Sequence, residues 1–310
     1  MKEIVIPAAV GLTIFLFGLQ LMRIGLNHLA GDKLKNVLTR FTKTPTHGFF
    51  TGTIVTMLMQ SSSAVTVITI GLTNARLLTF PQTIGIILGS NIGTTVTPQL
   101  IALNISDYAL PTFLIGALLW FFPSHILRCS GLALAGFGCI FLGMDTMQMI
   151  AEPIRKMGIL EDLVLMGSEN SVIGIIVGTV ITALIQSSTA TTAITMNFIG
   201  DHLIPLSMAI AIILGSNIGT CVTALLASIG GNTASIRVAW CHVILNTLGV
   251  VLFIPLIGAL ALLITTLSSH PPAQVAHAQT IFNVACSLLA LPFATHFGRL
   301  IEFLIPHKKS

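Results

Sequence analysis

The sequence predicts an all-α integral membrane protein made of two inverted repeats with broken, re-entrant helices. Three observations point there. Charged residues make up only 8% of the 310-residue chain, and the mean hydropathy is +0.96. Apolar runs recur near the ~20 residues that a helix needs to cross a bilayer. Two long segments of the chain repeat one another.

A soluble globular domain carries about 25% charged residues. This chain has too few to coat a surface that faces water. Backbone groups in lipid must be satisfied internally, which leaves helices or closed barrels. The runs show no strict apolar/polar alternation, so helices follow. In order they are Ile4–Met22, Thr83–Leu103, Ala109–Phe122, Leu132–Ile150, Leu203–Ile229, Val238–Leu267 and Val275–Phe293. The first has Lys2 balanced by Glu3, with no small-residue cleavage site soon after it. It reads as a retained helix rather than a signal peptide. The net charge of +4 sits in short connections. That is the Lys/Arg bias of cytoplasmic loops, not a nucleic-acid surface. Cys129, Cys139, Cys221, Cys241 and Cys286 stand singly. They read as packing residues rather than metal ligands or disulfide partners.

The repeat is ungapped. Gly48–Thr97 aligns with Gly174–Thr223 at a shift of 126, and 25 of the 50 positions are identical. The identities are polar as well as aliphatic. They include Gln60/Gln186, Ser61/Ser187, Ser62/Ser188 and the block Gly89–Thr94 against Gly215–Thr220. Upstream, Phe15–Gly18 pairs with Ile140–Gly143. The chain divides into a first repeat at 1–125, a second at 126–233 and C-terminal transmembrane helices at 234–310.

If Gly48–Arg76 enters and leaves on one side, the three runs that follow make an odd number of crossings before the second copy. The copies are then inverted, the plan of many secondary transporters. The loop Ala30–Lys43 carries +3 and Ala151–Asn170 carries −2, so the first is the better cytoplasmic candidate. That assignment puts the N-terminus outside.

Twelve residues, Gly48–Met59, precede Gln60. As a helix they reach about 18 Å, roughly half a bilayer. The polar run Gln60–Ser63 then interrupts, and a second short apolar stretch leads to Arg76. A helix that enters, breaks and returns fits this pattern. Irregular backbone at such depth is tolerated only inside protein or beside a wet cavity. Free N–H groups at the break suit an anion, free carbonyls suit Na⁺, and hydroxyls suit both. A lone Ser in a membrane helix is usually packing glue. Four polar neighbours repeated at equal spacing in two copies, Gln60–Ser63 and Gln186–Thr189, make a solute site instead. In the second block, Gly89 and Gly93 permit a turn or a close backbone approach around Asn91, followed by Thr94 and Thr95. Copy two has Asn217 and Thr220, with Cys221 in place of Thr95.

At these residues the sequence resembles the type II sodium–phosphate cotransporters in their short bacterial form. Paired Gln-Ser-Ser-Ser/Thr segments with Gly-x-Asn-Ile-Gly-Thr blocks, here at 89–94 and 215–220, are that family's pattern, and the resemblance covers roughly Gly11–Asn283. Many bacterial members carry an additional soluble C-terminal domain, which this sequence, ending at Ser310, is expected to lack. The resemblance implies symport of inorganic phosphate with Na⁺ across the cytoplasmic membrane, with sodium as the coupling ion. Phosphate falls to Ser61, Ser62, Ser63, Asn91, Ser187, Ser188, Thr189 and Asn217. Sodium falls to Gln60, Thr94, Thr95, Gln186 and Thr220. No Lys or Arg sits within either motif, so co-bound Na⁺ is the expected countercharge. A homodimer is the candidate assembly.

Other polar residues are weighed against plainer roles. Ala239–Asn246 is echoed by Ala276–Asn283, and His242 and Asn246 share a helix face. Interhelical hydrogen bonding is the expectation, with an accessory solute role as the alternative. Asp145 is a carboxylate near the end of an apolar run, suited either to Na⁺ or H⁺ or to the interface. Arg23 and Arg237 are expected to snorkel. Transport of another oxyanion, coupling to H⁺ and a membrane sensor remain alternatives. A hydrolase finds no general base beside either serine motif.

Overall fold

The computed structural model describes residues 2–30, 33–103, 105–156 and 171–306. Asp32, Glu161, Asp162, Glu169 and the side chains of Lys33, Lys35 and Arg155, which entered the loop-charge comparison, lie outside the described residues. Helices account for nearly all of what is described. The first copy comprises α1 (Lys2–Ala30), α2 (Lys33–Phe41), α3 (Pro45–Met59), α4 (Ser62–Asn74), α5 (Phe80–Gly93), α6 (Val96–Ile101) and α7 (Ala109–Trp120). The second comprises α8 (His125–Gln148), α9 (Ala151–Lys156), α10 (Ser171–Ile185), α11 (Ser188–Gly200), α12 (Leu206–Gly219) and α13 (Cys221–Ser228). Then come α14 (Thr233–Phe253), α15 (Ile257–Leu267), α16 (Pro271–Ala290) and α17 (Ala294–Leu304).

Six described segments are long and apolar enough to cross a membrane: Lys2–Ala30, Phe80–Ile101, His125–Ile154, Leu206–Ser228, Thr233–Leu267 and Pro271–Leu304. The chain is a multi-pass α-helical membrane protein. One expected span is short. Ala109–Phe122 yields α7, whose twelve residues reach about 18 Å. The last two spans start earlier than the apolar runs. Asn232 caps α14 by accepting the Ser235 N–H at 2.9 Å, and Pro271 and Pro272 open α16. Both spans bend at a proline, which lacks an N–H and breaks the helical ladder. The bends are the 3₁₀ turns Ile254–Leu256 and Leu291–Phe293. Pro255 and Pro292 keep the spacing of the echo, so the two tail spans are alike over their whole length.

Glycines fix how the helices meet. Along α1, Gly11 lies on Gly143, Gly18 on Gly136 and Gly25 on Cys129 and Ala133 of α8. The order reverses, so α1 and α8 are antiparallel. Gly11 and Gly136 occupy equivalent positions, as do Gly18 and Gly143, so each glycine meets the counterpart of the other. On another side of α8, α7 packs antiparallel, with Gly116 on Ala135 and Gly138 on Phe113.

Helices α3 and α5 run in parallel: Gly85 lies on Pro45, Gly89 on Phe49 and Gly93 on Thr53. With α4 between them, α3 and α4 must form a hairpin that returns to its starting side. Copy two repeats this, with Gly215 on Ile175 and Gly219 on Thr179. The Thr53 hydroxyl donates to the Gly89 carbonyl at 3.1 Å, and Thr179 to that of Gly215 at 3.0 Å. Gly89 and Gly93 therefore serve close approach within a continuous helix, and the block contains no turn before Thr94.

A Cβ on Gly89 or Gly215 would collide with the backbone carbonyl of Phe49 or Ile175. Gly258, in contrast, faces open space. Gly89→Ala and Gly215→Ala should each destabilise the protein by about 1–3 kcal/mol. Gly258→Ala should not. Thermal unfolding of the detergent-solubilised variants measures the difference.

Candidate functional site

Each hairpin breaks at a glutamine followed by a serine. Gln60 has φ 53° and ψ 30° and ends α3 in the left-handed region, with its N–H on the Thr56 carbonyl at 2.8 Å. Gln186 does the same with φ 56°, reaching Thr182 at 2.7 Å. Left-handed backbone costs a non-glycine residue about 1–2 kcal/mol. The next residue restarts the helix. Ser61 is extended and its hydroxyl accepts the Ala64 N–H at 3.2 Å; Ser187 accepts the Ala190 N–H at 3.3 Å. The first-turn N–H groups of Ser62, Ser63, Ser188 and Thr189 then have no intrahelical acceptor.

The two breaks meet. Ser61, Ser62, Ser63 and Thr94 from copy one and Gln186, Ser187, Ser188 and Thr189 from copy two line a single polar cavity. Arg23 of α1 completes the lining, and its Nε donates to the Gln60 carbonyl at 3.0 Å. This corrects the expectation that Arg23 snorkels and that the site has no cation. Two helix N-termini and one guanidinium make the cavity electropositive. Its free volume of ≈ 10 Å³ holds about one water.

Hydroxyl partners sort the lining chemically. Ser62, Ser188 and Thr189 are buried and donate to no described residue. Ser61 and Ser187 only accept, so their O–H groups can also donate. Thr94 already donates to the Ser90 carbonyl at 2.9 Å, which leaves only lone pairs for a guest. Thr95 and Thr220 likewise donate backward, to Ile92 at 2.8 Å and Asn217 at 2.7 Å, and neither lines the cavity.

Sequence reasoning passed over Arg23, Thr97 and Thr223. Thr97 donates to Oε1 of Gln60, which is buried, whereas Gln186 is exposed. Thr223, the counterpart of Thr97, gives its hydrogen to the Thr220 carbonyl at 2.5 Å, and its oxygen meets the Ser63 hydroxyl across the copies at 3.3 Å. Both threonines were present as identities in the repeat. Arg23 had a signal too: it aligns with Gln148, so one copy carries a cation that the other lacks.

Residues 14–149 and 154–293 match the Na⁺/Pi-cotransporter family. The chain belongs to this family. It is 37% identical over 295 residues to YqeW of Bacillus subtilis (strain 168), covering 95% of this chain and 96% of that one. It is 23% identical over 294 residues to YjbB of Salmonella typhimurium, whose name proposes inorganic phosphate export; 94% of this chain matches 54% of that protein. The chain thus spans about half the length of that relative. Sodium-dependent phosphate transport protein 2A of Ovis aries is 38% identical over 96 residues, 29% of this chain and 15% of that protein. No solved structure matches.

In this family member the remaining candidates do not line the cavity. The Asn91 amide donates to Oδ1 of Asn246 at 2.8 Å. Asn246 donates in turn to the Asn217 carbonyl at 3.0 Å and to Cys221 Sγ at 3.4 Å. The Asn217 amide bonds the Ile213 carbonyl at 2.9 Å. These carboxamides tie α14 to α5, α12 and α13. Asp145 is half-buried in the last turn of α8 and does not line the cavity. Arg237 is buried too: it caps the C-terminal end of α17 at the Ile305 carbonyl, 2.9 Å, and lies 3.6 Å from the Glu302 carboxylate.

Helix α4 packs on α14 as α11 packs on α16. In the second pair the Thr192 hydroxyl is shared between the Ser188 carbonyl at 2.7 Å and the Gln279 side chain at 2.9 Å. The equivalents in the first pair are Thr66 and His242, and there the Thr66 hydroxyl and His242 Nδ1 are both buried without a partner. His242→Gln should restore the missing bond and stabilise the protein by about 1 kcal/mol. His242→Leu should not. The unfolding temperatures of the two variants, compared with the parent, decide it.

Proposed function

We propose that the protein is a sodium-coupled symporter of inorganic phosphate in the cell membrane. The observation that carries this reading is the single cavity lined by both serine motifs and Arg23. Phosphate is a tetrahedral oxyanion that accepts hydrogen bonds on every side. The cavity offers hydroxyl donors from both copies, first-turn N–H groups of α4 and α11, and one guanidinium. Phosphate carries one to two negative charges at neutral pH, so Arg23 offsets only part of it. Na⁺ supplies the rest, held by oxygens whose hydrogens point elsewhere, such as Thr94. Charge left uncompensated at membrane depth is costly, so neither solute binds well alone, and that couples them.

The antiparallel pairing of α1 with α8 and the equivalent hairpins support inverted repeats. Space for about one water does not admit a phosphate. The hairpin tips must part to take it up, and inverted hairpins can part toward opposite faces in turn. The names of the relatives in Salmonella and Ovis aries agree on phosphate as the cargo.

Uptake of labelled phosphate into proteoliposomes should require a Na⁺ gradient, and equal uptake in Na⁺ and choline would rule out the coupling. Ser62→Ala and Ser188→Ala should each weaken phosphate affinity by about 10–150-fold, the loss of one hydrogen bond to a charged group. Ser90→Ala is the control, because that hydroxyl bonds the Ile87 carbonyl within its own helix. Arg23→Gln should weaken phosphate binding and steepen its dependence on Na⁺, and Arg23→Lys should recover part of the loss. Parent-like affinity in Arg23→Gln would remove the guanidinium from the site.

A further inference from the structure

The charged residues outside the cavity are sorted by end of the molecule. Helix α1 finishes at Ala30 beside the start of α8, since Gly25 lies on Cys129. Helices α3 and α5 start together, with Gly85 on Pro45. The Asn232 N–H donates to Asn74 Oδ1 at 2.9 Å, which brings the start of α14 to the end of α4. Arg237 joins that start to the end of α17. All these termini lie at one end, and there Arg40, Lys43, Arg76, Arg128 and Arg299 are exposed. Among the described residues at this end the acid is Glu302, which is engaged with Arg237. The opposite end carries Glu3, Asp107, Glu152 and Asp201. Among the described side chains there, the cations are Lys2 and Lys156, the latter 3.5 Å from Glu152.

The basic end also carries an aromatic girdle. The Arg40 guanidinium lies 6.0 Å from the Phe41 ring centroid and that of Arg128 5.9 Å from Trp120. Phe121 is 76% exposed and Phe303 81%. Helix α2 buries Leu34 and Leu38 and leaves Arg40 outward. Aromatic rings beside basic side chains belong at the headgroup level of a bilayer. A surface this one-sided in charge demands an anionic partner.

We propose that this face docks on anionic phospholipid headgroups, which places it at the cytoplasmic leaflet with the N-terminus outside and the C-terminal helix ending inside. Anionic lipid is concentrated on the cytoplasmic leaflet and attracts each juxtamembrane Lys or Arg. The docking involves no residue of the transport cavity, so it stands whatever the cavity carries.

The test uses the purified full chain in phosphatidylcholine. Adding phosphatidylglycerol should raise the unfolding temperature at low salt, and high salt should suppress the rise. The variant with Arg40, Lys43, Arg76, Arg128 and Arg299 all changed to Gln should need about tenfold or more phosphatidylglycerol for the same rise. Inorganic phosphate in place of the lipid should not give a rise that this variant loses. Equal stabilisation by both lipids, an undiminished preference in the variant, or phosphate replacing the lipid would each overturn the proposal. Orientation is read in intact cells with a membrane-impermeant maleimide on a Cys286→Ala background. Asp107→Cys should label and Ser124→Cys should not; the reverse pattern overturns the assignment.

Discussion

An interrupted helix inside a membrane has nowhere to send its loose backbone groups, and the architecture is organised around that constraint. A helix end leaves N–H and C=O groups without partners, and lipid offers none. Here each break is compressed to two residues. A left-handed glutamine closes one helix onto its own last turn, and an extended serine caps the next. What cannot be closed is the first-turn N–H groups beyond the cap. Bringing the two breaks together lets them share one polar cavity instead of leaving two defects. The hairpins, their parallel packing on α5 and α12, and the glycines that permit it all serve to hold those tips at depth.

The two copies are alike in backbone and unlike in side-chain detail, and the differences collect near the cavity. Gln60 is locked by Thr97 and approached by Arg23, whereas Gln186 is exposed and also contributes to the cavity lining. Thr223 reaches across to Ser63, while Thr97 stays within its own copy. Thr192 is satisfied by Gln279, while Thr66 and His242 are left unpaired. A fully symmetric cavity would offer two equivalent half-sites to one solute. A single guanidinium removes that degeneracy, since the centre of positive charge then belongs to the first copy. On the proposed function, phosphate and its countercharge would be ordered within the cavity rather than distributed over it.

Much of this was legible in the sequence because the repeated residues were polar. Gln60, Ser61 and Ser62 recur as Gln186, Ser187 and Ser188, and selection for mere hydrophobicity would not preserve such matches. The half-bilayer length before Gln60 also exposed the break. Arg23 was missed for a reason of one-dimensional reading: it ends an apolar run, where a cation ordinarily reaches for water. Only the long α1, which continues to Ala30, keeps it at the depth of the breaks. Gly89 and Gly93 were ambiguous because a glycine allows both a turn and a close approach. Which one it serves depends on Phe49 and Thr53, residues far away in sequence. The proline bends at Pro255 and Pro292 were in view but went unjoined to the echo upstream of them.

Hydroxyl direction carries the last step of the argument. Every Ser or Thr has one hydrogen to give and lone pairs to offer. Within a helix, a hydroxyl whose hydrogen goes only to a carbonyl three or four residues earlier offers a guest its lone pairs. Thr94 is in that state at the cavity wall. At a helix N-terminus there is no earlier turn to receive the hydrogen, so Ser62 and Ser188 keep theirs. One kind of side chain, placed on two sides of the same helix break, thus yields anion donors at the tips and a cation acceptor on the neighbouring helix. If the cavity carries phosphate and Na⁺ as proposed, it has the means to tell them apart without a carboxylate in its described lining, because position along the helix has already divided the hydroxyls.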